Sequence, residues 1–144
     1  MNLQKALEGA RMLLVEDDRL LKESLVLFFQ IRGCKVAAFE SSEEALTAIG
    51  KDRFDIVIAD QMLPGMNGLA FLAKVSVIRP GASRILITGQ PSLALVKEAE
   101  RQGVDDFLRK PFTPEEMEKS IRRLAVLRRT AAKRGEEKAM EDIF

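Results

Sequence analysis

The chain has 144 residues, 47% hydrophobic and 31% charged, with a formal net charge of +1, the composition of one soluble globular domain large enough for a proper core. It holds no histidine and one cysteine, which excludes Ser-His-Asp and Cys-His catalysis, HExxH zinc sites, an internal disulfide and a phosphohistidine carried by the chain itself. No run of about 18 apolar residues occurs, and the opening MNLQKALEGAR is too mixed for a signal peptide, so the expectation is a cytoplasmic protein without a membrane segment.

In chain order, RMLLVE at 11–16 reads as a short strand ending in acids. Residues 19–32 follow with Leu20, Leu21, Leu25, Phe28 and Phe29 at helical spacing, and Gly33 stops them. Cys34, at the start of the next apolar run, suits a small buried filler. KVAAF at 35–39 is a second strand; Ser41 or Ser42 caps a helix, with Glu43 or Glu44 at capping-box distance, and Gly50 ends it. FDIVIA at 54–59 is a third strand, and a helix over 68–78 ends before Arg79-Pro80-Gly81. RILIT at 84–88 is a fourth strand, a helix over 93–102 closes at Gly103, and 104–109 is a fifth strand. A last helix opens at Thr113-Pro114, a cap residue with proline at the first helical position.

Five strands alternating with five helices over short loops predict an α/β domain with a doubly wound, five-stranded parallel sheet covered on both faces. The strands are apolar runs, as burial on both sides requires. Ligands of such sheets bind beyond the carboxyl ends of the strands, and the side chains predicted there form a pattern. The first strand exits at Glu16, Asp17 and Asp18, the third at Asp60, the fourth at Thr88-Gly89 and the fifth at Lys110. Taken singly each has an ordinary role: Asp18 as a helix cap, Thr88 as a structural hydroxyl, Lys110 as a solvated cation.

Together they ask for more. Asp60 ends a buried strand, where an unbound carboxylate is costly, and several acids at one edge repel one another unless a cation neutralises them. Oxygen ligands without histidine or thiolate select Mg²⁺. A carboxylate-held metal with a hydroxyl and a lysine nearby is equipment for handling a phosphoryl group.

LLVEDD at the first strand, IVIADQMLPGMNG around the third, ILITG at the fourth and DDFLRKPF at the fifth, in this order on a fivefold βα alternation, resemble a response-regulator receiver domain of the CheY-like family of two-component signalling. The resemblance runs from about Arg11 to Leu127. It implies a flavodoxin-like (βα)5 domain over 11–127, an N-terminal extension over 1–10, and a C-terminal helical extension or linker over 128–144.

It also implies roles. Asp60 matches the phosphoacceptor, Asp17 a direct Mg²⁺ ligand, and Glu16 a ligand acting through water. The backbone carbonyl of Met62 would be a further ligand. Lys110, in a cis Lys110-Pro111 bond, would pair with phosphoryl oxygens, Thr88 would donate its hydroxyl to them, and Phe107 would be the switch aromatic that turns inward. Met62 and Gln90 would tune the lifetime of the modification, and the small Gly89 would leave it room. The implied donor is a sensor histidine kinase or phosphotransfer protein. The implied readout is a partner or output domain engaged by the face of the fourth helix, fifth strand and last helix, with a phosphorylation-dependent homodimer as a further expectation. Val96 and Ser120 stand where winged-helix regulators carry basic dimer residues, which weighs against that subclass. Such a protein accepts a phosphoryl group once and loses it slowly, and is not a multiple-turnover enzyme.

Two other classes fit less well. A haloacid-dehalogenase-like phosphatase places a second aspartate two positions beyond its nucleophile, where this chain has Met62. A receiver-like module used only for protein interaction would have no need of the intact acids, Thr88 and Lys110. There is no GxxxxGK[ST] or GxGxxG motif for nucleotides. From Lys119 to Phe144 there are eight basic and four acidic residues, but with no recognition fold or interleaved aromatics, direct nucleic-acid binding is not expected.

Overall fold

The computed structural model describes residue 5 and residues 7–143, with the side chains of 129–139, 141 and 143 outside the description. Among the described residues from Arg11 onward, five strands, β1 (Arg11–Val15), β2 (Lys35–Phe39), β3 (Ile56–Asp60), β4 (Ser83–Thr88) and β5 (Asp106–Arg109), alternate with five helices. The helices are α1 (Arg19–Ile31), α2 (Ser42–Lys51), α3 (Gly68–Ile78), α4 (Leu93–Arg101) and α5 (Pro114–Ile143). All pairings are parallel, in the order β2-β1-β3-β4-β5.

Strand residues alternate between two apolar layers. Met12, Leu14, Ile56, Ile58, Ile85 and Ile87 join Leu25 and Phe29 of α1 and Met117, Ile121 and Leu124 of α5 on one face. Leu13, Val15, Val57, Ala59 and Leu86 join Ala45 and Ile49 of α2, Phe71, Leu72 and Val75 of α3 and Ala99 of α4 on the other. Each large side chain so buried contributes about 2 kcal/mol. The central strands β3 and β4 are buried throughout, whereas the edge strands β2 and β5 are half-buried.

The elements depart from the sequence reading in instructive places. The third strand starts at Ile56, because Phe54 is packed below it in the approach loop, and it includes Asp60. The fifth strand is shorter, starting at Asp106. The helix expected to stop at Gly50 continues to Lys51. Leu20 has the spacing of the buried stripe of α1 but is 75% exposed, and Leu127 likewise points out of α5. Of the residues assigned to an N-terminal extension, 1–4 and 6 lie outside the described residues, yet Leu7 is fully buried in the α1–α5 layer, and Gly9 N–H donates to Gly33 O at 3.0 Å. Cys34 is buried, and burial pushes its thiol up to about 11.

In the sequence Arg84 shows only as the start of a strand. It is buried, and its guanidinium donates to Leu72 O of α3 at 3.1 Å and to Gln102 O at the end of α4 at 2.8 Å. Burial pulls its pKa below the ordinary arginine value, against the opposing charge of Asp105. The long α5 is fastened by Arg32–Glu118, by Arg123–Asp106 at 3.3 Å and by Arg128, which donates to Gly81 O and to Asp55. Among the described residues, no helix is long and apolar enough to cross a membrane.

Candidate functional site

Because β1 and β3 are neighbours in register, Val15 against Ala59, the residues that follow β1 lie beside the last residue of β3. Glu16 continues the ladder with its N–H on Phe39 O at 3.0 Å, and the residue is 1% exposed. Asp60 is 4% exposed. Lys110, beyond the far edge of the sheet, closes the arrangement: its Nζ donates to Glu16 Oε1 at 2.5 Å and to Asp60 Oδ2 at 2.6 Å. Its main chain is set by Lys110 N–H on Thr88 O at 2.8 Å and by a cis bond to Pro111.

Three carboxylates, Glu16, Asp17 and Asp60, offer ligand atoms within 4.8 Å of one another, with one ammonium to balance them. Glu16 Oε2 is buried and, among the described residues, has no hydrogen-bond partner. Burial, then the adjoining Asp60 carboxylate, pushes the Glu16 carboxyl up to about 7, with Lys110 pulling the other way. Burial also works against the Lys110 ammonium, but its hydrogen bonds to Asp60 and Glu16 and their charges outweigh it, so its pKa stands above the ordinary lysine value. An orphaned buried oxygen inside an all-oxygen donor set with excess negative charge fits a hard divalent cation.

Asp18 stands apart from this cluster. Its Oδ1 accepts from Leu21 N–H at 3.2 Å and caps α1, so the third acid of the EDD run is a helix cap, as one of the two readings had it.

Of the other expected residues, Met62 bonds the cluster directly, while Phe107 and Ser120 belong to β5 and α5. Met62 folds back, its N–H donating to Asp60 Oδ1 at 3.2 Å, while its side chain is exposed. Thr88 is fully buried, its Oγ1 accepting from Gln90 N–H at 3.1 Å. A Cβ on Gly89 would meet only Lys110 Cβ, at 3.8 Å. Phe107 is half-buried against the α2–α4 layer and lines a groove of about 180 Å³ with Val96, Ala99 and Val104. Ser120 is buried and donates to Asp106 Oδ2 at 2.5 Å.

Three residues near the site make contacts that the sequence does not announce. Gln61 Oε1 accepts from Leu69 N–H at 2.8 Å, Ser42 Oγ donates to Met66 O at 3.0 Å, and Glu43 Oε1 accepts from Met66 N–H at 2.9 Å. Ser42 and Glu43 read as ordinary capping residues; the only hint was a second serine behind the true cap, Ser41.

Comparison with known proteins agrees with this geometry. The family model described as response regulator receiver domain matches residues 12–122. The C4-dicarboxylate transport transcriptional regulatory protein DctD of Rhizobium meliloti (strain 1021) is 35% identical over 116 residues, covering 81% of this chain and 25% of that protein. A CheY-like receiver domain protein from Methanospirillum hungatei JF-1 superposes with a TM-score of 0.83 at 27% identity, covering 86% of this chain and 99% of that one. A Burkholderia pseudomallei response regulator, crystallised with a phosphorylated aspartic acid, a calcium ion and citrate, has a TM-score of 0.75 at 25% identity and covers 92% of this chain and 75% of that one. The chain spans less than two thirds of the length of the curated relatives it matches. A parallel sheet ordered 2-1-3-4-5, an acid cluster closed by a lysine at its carboxyl edge and a family match over most of the sequence lead to one assignment: the chain belongs to the response regulator receiver domain family.

Proposed function

We propose that Asp60 is the phosphoacceptor of a two-component receiver. The observation that carries this reading is the pair of bonds from Lys110 Nζ to Asp60 and Glu16, beside a third carboxylate and an orphaned Glu16 oxygen. A carboxylate oxygen of Asp60 attacks the phosphorus of the donor; the new O–P bond forms as the bond from phosphorus to the donor's leaving group breaks, leaving an acyl phosphate. Lys110 already stands on Asp60 and neutralises charge on the phosphoryl oxygens. Glu16, Asp17, Asp60 and the Met62 carbonyl would hold Mg²⁺, which when bound supplies charge neutralisation for the transferring group. The phosphorylated aspartic acid and metal ion of the Burkholderia pseudomallei protein support the same assignment by similarity.

In this reading Thr88 exchanges its bond from Gln90 N–H for one it donates to the phosphoryl group. Its departure makes room for Phe107 to enter the α2–α4 layer. The face of α4, β5 and α5 then changes and engages an output domain or partner protein, or a second copy of the chain. The phosphoryl donor is a cytoplasmic histidine kinase or phosphotransfer protein. Residues 11–127 form the receiver unit, and 128–144 a helical extension whose last residue lies outside the described residues.

The test is intact mass after incubation with Mg²⁺ and acetyl phosphate, beside Asp60→Asn. The expected result is one phosphoryl group on the wild type, absent in the variant and without Mg²⁺. No gain in protein shown to bind Mg²⁺ transfers the case to a receiver-like interaction module.

A further inference from the structure

The loop that follows Asp60 is held by a helix that contributes none of the acidic site residues. Residues 61–67 leave β3, turn at Gly65 with φ 74°, and enter α3 at Asn67, whose Oδ1 caps it by accepting from Ala70 N–H. Met66 lies in the middle, and both of its backbone groups are taken by consecutive residues of α2. Its N–H donates to Glu43 Oε1 at 2.9 Å, and its carbonyl accepts from Ser42 Oγ at 3.0 Å.

These are not capping interactions. Ser41 caps α2, accepting from Glu44 N–H, which leaves the Ser42 hydroxyl, fully buried, for the loop. The Met66 N–H, then the backbone N–H of Glu43 itself, hold the Glu43 carboxyl below the ordinary carboxylate value. Its place in the first turn of α2 favours the same ionised form. The carboxylate also lies against the turn, since a Cβ on Gly65 would stand 2.7 Å from Glu43 Oε1. The inner end of the loop is fixed separately, by Gln61 Oε1 on Leu69 N–H and Gly68 N–H on Gln61 O. Met62 lies between the two anchors.

We infer that Ser42 and Glu43 are positioning residues of the acidic site, gripping Met66 from α2 so that the Met62 backbone is already set against Asp60 before a metal or phosphoryl group arrives. The inference rests on the phosphoacceptor reading, in which the Met62 carbonyl is a metal ligand. A ligand on a free loop must be ordered when the ion binds, and that entropy opposes binding. A loop gripped in advance has already lost that freedom, as outer-shell partners of metal ligands do elsewhere.

The experiment uses the full chain with Glu43→Ala, Glu43→Gln and Ser42→Ala. The protein has no tryptophan or tyrosine, so Mg²⁺ affinity is read by isothermal titration calorimetry. Met66 amide exchange in the metal-free protein is read by NMR, with circular dichroism to check folding. Glu43→Ala should weaken Mg²⁺ binding roughly tenfold and speed Met66 exchange. Its phosphorylation rate should return to that of the wild type once Mg²⁺ saturates, so the loss lies in the Mg²⁺ requirement and not in the maximal rate. Glu43→Gln keeps an oxygen acceptor and should recover most of the affinity; Ser42→Ala should fall in between. Unchanged Mg²⁺ affinity in Glu43→Ala overturns the positioning role, and so does a Glu43→Gln variant as weak as Glu43→Ala, which would make charge and not the bond responsible. Wild-type protein that takes up no Mg²⁺ overturns the phosphoacceptor reading instead.

Discussion

The backbone carbonyl of Asp60 occupies the space beside Gly68: a Cβ built on Gly68 would lie 2.2 Å from that oxygen and 2.8 Å from its carbon. Both obstacles are backbone atoms, so no side chain can swing aside. Gly68→Ala is expected to push the start of α3 away from the end of β3, at a cost of about 2 kcal/mol or more, and, with Asp60 as the proposed phosphoacceptor, to slow its phosphorylation by displacing it. Gly89→Ala makes the useful control. Its new methyl meets only Lys110 Cβ at 3.8 Å, so stability should stay within about 0.5 kcal/mol. Urea melts followed by circular dichroism separate the two; equal melts would show that the 61–67 loop yields more easily than its packing implies.

Asp17 and Asp18 are adjacent acids in different places: Asp17 in the carboxylate cluster, Asp18 on the cap of α1. Asp18→Ala removes the cap on Leu21 N–H and should cost about 1 kcal/mol with Mg²⁺ affinity retained. Asp17→Asn should do the reverse: Asp17 is exposed, so metal-free stability is kept while Mg²⁺ binding falls by more than about tenfold. Calorimetric titration and thermal melts on both variants check the crossover, and a loss of Mg²⁺ binding in Asp18→Ala would contradict it.

The metal-free protein should lose stability as pH rises toward neutrality. The Glu16 carboxyl moves from an ordinary 4.5 to about 7 on folding. A carboxyl raised in this way costs nothing while protonated in both states, below about pH 4.5, and opposes folding once pH has passed through 7. The decline should reach about 3 kcal/mol at most. Glu40, Glu43 and Glu98, whose pKa values their partners lower, have the opposite slope and act at and below the acidic edge of that window. Glu16→Gln should be flat between pH 5 and 7, and saturating Mg²⁺ should remove the decline in the wild type. Denaturant midpoints at four pH values decide it; an unchanged decline in Glu16→Gln assigns the effect elsewhere.

Arg84 ties α3 to α4 through two helix carbonyls. Arg84→Met keeps most of the buried volume and leaves Leu72 O and Gln102 O without their donors, so a loss of about 2–3 kcal/mol is expected. α4 has Ala99 as its one buried residue, and its amides should exchange faster in the variant than those of α3. Uniform acceleration across the molecule would mean that Arg84 supports the core as a whole.

The fold was legible because its signals are local and repeated. Apolar runs such as IVIA and RILIT, glycines at 33 and 103 in left-handed conformations with φ of 84° and 75°, and proline after a cap residue each mark an element without help from distant residues. The acidic cluster was legible because a parallel sheet places all its strand exits on one edge. What the sequence did not disclose depends on partners far along the chain. Leu20 has the spacing of a core residue, but it is exposed on the outer side of α1. Leu7 is fully buried in the same apolar layer as Phe29 and Ile121, which no periodicity in a ten-residue segment can announce. The grip of Ser42 and Glu43 on Met66 joins residues more than twenty positions apart, and both side chains had a sufficient local explanation as caps.

α5 runs for 30 residues, a rod of about 45 Å at the usual rise. Arg128 fastens it to Asp55 and Gly81, and the 15 residues that follow reach about 22 Å further. A tilt of about 10° with Arg128 as fulcrum would carry the far end through about 4 Å. Ser120 and Arg123 of the same helix hold Asp106, the neighbour of Phe107. The helix has a short arm of about 12 Å from Arg128 back to Ser120, resting against β5, and a long arm of about 22 Å, so a displacement at β5 is roughly doubled at the far end.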